Sequence, residues 1–73
     1  MISKEMTQLA MGTIHCNHGK MSRENVVDAV LADCTNEGLV PVNAHRPELA
    51  RIRSWADELI TSYLGALSRL APK

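Results

Sequence analysis

The run His15-Cys16-Asn17-His18 puts two imidazoles and a thiol within four residues. Imidazole and thiolate are zinc ligands by type, and Cys34 and His45 are the only further cysteine and histidine in the chain. A structural zinc site needs four such groups, usually arranged around a paired Cys-x-x-Cys knuckle. This chain has no such pair, and two of the ligands would have to come from distant segments. The simpler reading is a polar loop, so no metal is assigned. His15, Cys16, His18 and Cys34 remain the residues that could ligate one if the fold brought them together. A nucleophilic Cys16 would need a histidine oriented as its base, and the closeness of His15 and His18 in sequence does not supply that orientation.

There is no glycine-rich phosphate loop and no Gly-x-Ser-x-Gly elbow. A chain of 73 residues has one small core in which to build a pocket. The expectation is a non-enzyme without a cofactor.

The second cluster is basic: His45, Arg46, Arg51 and Arg53, with Trp55 beside them. Positive charge at a helix start opposes the helix dipole. One reading pairs Arg53 with Asp57 one turn on, or with an acidic residue of the preceding helix. The functional reading makes Arg46, Arg51, Arg53 and Trp55 a partner-binding surface, with Trp55 as the aromatic anchor.

These side chains must be positioned by helices. Ile2, Met6, Leu9 and Ala10 recur at helical spacing and suggest a short first helix over 3–11, stopped by Gly12. Residues 13–20 read as polar and irregular, and 1–20 as partly flexible. The second helix is expected over 23–36. Ser22 is its N-cap, Met21 and Val26 form a hydrophobic staple, and Gly38 is a left-handed stop. Leu39-Val40-Pro41-Val42 reads as an extended crossing. The last helix is expected over 47–70, with Pro47 in its first turn and Pro72 beyond its end. Its apolar residues, from Leu49 to Leu70, cover an arc of about 180° at 100° per residue. That is wider than one neighbouring helix needs, so either the rest of the chain folds tightly onto this helix or some apolar surface remains for a partner or a second copy. The fold expected is a single, mostly α domain of three helices.

Composition agrees with that reading. The hydrophobic fraction is 45%, Phe is absent, and Trp55 and Tyr63 are the only aromatics, so the core is aliphatic. Formal net charge is zero, which argues against a protein living on a phosphate backbone. Residues 1–44 carry three basic and five acidic side chains, whereas residues 45–73 carry five basic and three acidic. The two parts can attract each other. No apolar run approaches the roughly 20 residues of a membrane span, and the first residues lack a signal-peptide core. A cytoplasmic protein with free thiols is expected. The segment between the two stronger helices is too long for a helix-turn-helix, which makes a sequence-specific DNA-binding repressor the weaker alternative.

Two resemblances follow. Ile52-Arg53-Ser54-Trp55, then Leu59-Ile60 and Leu67-Ser68-Arg69-Leu70, resemble part of the theta subunit of bacterial DNA polymerase III, over about a third of the chain. That resemblance implies a small helical accessory subunit. In size, neutrality and helical character the chain is also similar to small phage-encoded transcription regulators. Those proteins imply binding to host RNA polymerase at the N-terminal part of its β′ subunit, in the host cytoplasm. They inhibit initiation and promote antitermination. Both resemblances imply a non-enzymatic protein that docks on a nucleic-acid machine.

Overall fold

The computed structural model describes residues 2–70. Three helices, α1 (Lys4–Asn17), α2 (Arg23–Asn36) and α3 (Arg46–Leu70), run in that order. Among the described residues there is no strand, and no helix is long and apolar enough to cross a membrane. Contacts between the helices fix their directions. Arg23, at the start of α2, reaches Asp57 and Thr61, whereas Asp28, a turn and a half later, meets Arg53. So α2 runs antiparallel to α3. His15, near the end of α1, meets Tyr63, and Ile2, before its start, lies beside Ile52. So α1 runs parallel to α3.

The first helix is longer than its sequence suggests. Ser3 caps it, its hydroxyl accepting from the Met6 N–H at 3.2 Å, and the helix passes through Gly12 to Asn17. The segment expected to be irregular is therefore helical from Thr13 to Asn17. The reason lies in the core: Met6, Ala10, Thr13 and Ile14 are all buried, and they share one face at i, i+4, i+7 and i+8. Burying Ile14 outweighs the cost of one glycine, about 1 kcal/mol. Gly12 itself is exposed, and a Cβ built on it would meet nothing within 4 Å. Gly12→Ala is therefore expected to stabilise the protein by about 0.5–1 kcal/mol, read as a raised urea midpoint with unchanged slope.

The second helix matches its expected bounds. Ser22 accepts from the Asn25 N–H at 3.2 Å. At the other end Gly38, at φ 75°, closes a Schellman turn. Leu39 N–H donates to Cys34 C=O at 2.9 Å and Gly38 N–H to Thr35 C=O at 3.0 Å. The connection that follows is not an extended crossing. It bends at Leu39 and Val40 and turns at Val42 and Asn43, because Leu39 and Val40 also hold the end of α2. Only Val40 plugs the core, while Val42 is 90% exposed. The third helix begins at Arg46, and Pro72, expected to end it, lies outside the described residues.

The core joins Met6, Ala10 and Ile14 of α1, Val26, Val27, Val30 and Cys34 of α2, Val40, and Ile52, Ala56 and Ile60 of α3. One polar group is buried with them. The Thr13 hydroxyl donates to Asp33 Oδ2 at 2.6 Å, with the Leu9 carbonyl at 3.0 Å as a second acceptor for the same proton. This bond ties α1 to α2 where apolar contact ends.

Two ion pairs tie α2 to α3. Arg23 Nε donates to Asp57 Oδ1 at 2.6 Å and its Nη2 to the Asp57 carbonyl at 2.9 Å. The second pair joins Arg53 to Asp28. The Arg23 hydrogen bond, helped by its charge, holds the Asp57 carboxyl below its ordinary value despite a small opposing effect of burial. Asp57 therefore stabilises the fold above its unfolded pKa, near 3.8, and that contribution is lost as pH falls through the lower folded value. Both side chains are half exposed, so the effect is screened and small. Asp57→Asn should lower the melting temperature slightly at about pH 7, and the difference should shrink as pH falls below the unfolded value, in paired thermal melts.

Candidate functional site

The four residues proposed as one partner-binding surface are spread along and around α3. Arg53 and Trp55 are two positions apart on α3, hence about 160° apart around it. Arg53 lies on the side of α2, where Asp28 takes its charge. Trp55 lies half-buried on the opposite flank and packs against the core. Arg51 shares Trp55's flank and lines a small hollow with Ile2, Glu48 and Ile52. Arg46 is exposed at the first position of the helix. Among the described residues neither Arg46 nor Arg51 forms an ion pair.

The candidate metal ligands are also dispersed. His15 and His18 stand at the end of α1, and His45 precedes the start of α3 at the opposite end of the bundle. Cys34 is fully buried in the core. Burial pushes its thiol pKa up, and the neighbouring Asp33 carboxylate adds to the effect. A thiol so placed is a packing residue rather than a nucleophile. Cys16 is exposed and lines a shallow groove between α1 and α2 with Leu9, Gly12 and Asp33. Both cysteines are free. No group of three His, Cys, Asp or Glu among the described residues could hold a metal ion.

What the fold assembles instead lies at the far end of α3. At 1.5 Å per residue α3 is about 37 Å long, against about 21 Å for each partner. α1 meets α3 at Tyr63 through His15 and ends two residues later at Asn17, and α2 meets it at Thr61 through Arg23. Beyond them α3 continues to Leu70, contributing to a longest dimension of 46 Å. Leu64, Leu67 and Leu70 are exposed there, at 41%, 38% and 80%. Their spacing continues the stripe that is buried at Ile52, Ala56 and Ile60. The apolar surface left exposed on α3 thus lies along the helix, at its end, rather than around it. Arg69 is the only charged side chain on residues 61–70.

Beneath this projecting end sits a cluster of rings. His15 Nδ1 and the Tyr63 hydroxyl are 2.7 Å apart. The His18 ring lies edge-on to Tyr63 at 5.0 Å between centroids. Met21, in the turn between α1 and α2, is 39% exposed. Tyr63 was legible in the sequence only as one position on the apolar face of α3. Nothing local tied it to His15, 48 residues away.

Comparison with protein-family models, curated proteins and solved structures found no match to this chain.

Proposed function

We propose that the chain is a non-catalytic protein-binding module that regulates a nucleic-acid polymerase, with host RNA polymerase as its partner. The observation that carries the docking is the projecting end of α3. Three exposed leucines on one stripe, with no acidic side chain over residues 61–70, form an amphipathic helix end of the kind that seats in an apolar groove. Formal net charge is zero, and two of the arginines are held in ion pairs, which supports a protein partner over a phosphate backbone. The choice of RNA polymerase rests on the resemblance in type to small phage regulators. In that role the chain would bind near the N-terminal part of β′, inhibit initiation and promote antitermination.

A second reading has its own observation. Leu67-Ser68-Arg69-Leu70, which resembles a run of the theta subunit, lies wholly on the exposed end of α3. This favours an accessory subunit of a replicative DNA polymerase.

One experiment separates the two. The purified chain is passed over immobilised RNA polymerase and over immobilised DNA polymerase III core, and promoter transcription is measured with and without it. Binding to RNA polymerase with altered transcription supports the first reading. Binding only to the DNA polymerase selects the second, and binding to neither sinks both. A salt-steep shift of duplex DNA in the absence of any polymerase would revive the DNA-binding repressor.

A further inference from the structure

His15, His18 and Tyr63 bring three metal-ligating side chains to one place from two helices. His15 is exposed and His18 half-buried, while the half-buried Tyr63 ring also packs against the core; all three keep some surface open to solvent. Their ring centroids are mutually 5.0, 6.1 and 6.4 Å apart. We propose that these residues form a surface site for a divalent transition-metal ion, Zn²⁺ or Cu²⁺, with His15 Nδ1, a His18 ring nitrogen and the Tyr63 phenolate oxygen as ligands and water completing the coordination.

The His15–Tyr63 pair needs little adjustment. Two ligands at about 2.05 Å from a tetrahedral ion stand about 3.3 Å apart. His15 Nδ1 and Tyr63 Oη are 2.7 Å apart around a shared proton, so exchanging that proton for the ion opens the pair by about 0.6 Å. The phenol proton leaves to solvent, and no electron is transferred. His18 is the C-cap of α1, with extended backbone angles of φ −61° and ψ 138°. Its ring is therefore less constrained by the helix than a mid-helix histidine would be, and the site requires it to turn a nitrogen from its edge-on contact with Tyr63 toward the ion. The carbonyl end of α1 is the negative end of its dipole and favours a cation. Two nitrogens and one oxygen suit imidazole-binding metals, and the stability order places Cu²⁺ above Zn²⁺.

The test is calorimetric titration of the chain with Zn²⁺, repeated with Cu²⁺ while recording visible absorption. Cys16→Ser serves as the background, to remove the exposed thiol. One ion per chain is expected to bind, and the Cu²⁺ complex should show a phenolate-to-copper charge-transfer band. Removing a ligand should cost at least as much as losing an outer-shell partner, about tenfold in affinity. His18→Gln and Tyr63→Phe should each weaken binding by that factor, and Tyr63→Phe should also abolish the band. Tyr63→Phe keeps the half-buried ring, and His18→Gln, at the end of the helix, provides a second variant should the first alter the fold. The proposal is overturned if no metal binds, if Cys16→Ser alone removes binding, or if neither variant changes it.

Discussion

Replacing Ile14 with alanine should destabilise the protein by about 2–5 kcal/mol, the range for emptying a fully buried aliphatic site. Ile14 has no exposed surface, and its neighbours on the helix face, Ala10 and Thr13, are buried with it. The effect is large relative to the whole. At about 0.05–0.15 kcal/mol per residue, a chain of this size has roughly 4–11 kcal/mol of stability in total. The melting temperature should fall by at least about 10 °C. Ile2→Ala is the matched control. Ile2 is 44% exposed, and a surface change should stay within about 0.5 kcal/mol. Urea melts of the two variants measure both. If Ile14→Ala melted like the parent chain, residues 13–17 would not be packed as described, and α1 would be the short helix its glycine suggests.

That comparison bears on what the sequence could disclose. Ser22, Gly38 and the run of valines between them specify α2 by local chemistry alone, a cap, a stop and a face, and the structure reproduces each. The apolar face of α3 was equally plain, because helical periodicity is a property of one segment. Gly12 misled because it is a local signal overruled by a tertiary one. Met6, Ala10, Thr13 and Ile14 already stood at helical spacing across it, and that spacing carried more weight than the glycine. The proposed binding residues are spread apart for a related reason. Arg53 and Trp55 adjoin in sequence, but helical geometry puts two residues of separation on nearly opposite sides. Of the two ionic partners considered for Arg53, Asp57 one turn on was taken by Arg23 and Asp28 of α2 was used. The meeting of His15 with Tyr63 depends on the parallel alignment of α1 and α3, which no short stretch encodes.

The same alignment explains why the end of α3 is bare. The two shorter helices meet α3 at Thr61 and at Tyr63, and its last turns are less covered, with Leu64, Leu67 and Leu70 exposed. A chain that needed only its own stability would gain nothing from Leu64, Leu67 and Leu70 there. Leu67→Asp should therefore separate stability from binding. Its folded-state contacts are few, so the melting temperature should move by no more than a surface change gives, about 0.5 kcal/mol in stability. In a complex seated on this stripe Leu67 is the central contact, between Leu64 and Leu70. Placing a carboxylate in a desolvated apolar groove should cost at least the 2 kcal/mol that marks a hot spot, or about thirtyfold in affinity for the proposed polymerase partner. Arg51→Ala, on a different flank and remote from the projecting end, should change that affinity little. The opposite ranking, with Arg51→Ala crippling binding and Leu67→Asp harmless, would move the docking surface to the start of α3 and return it to the basic cluster.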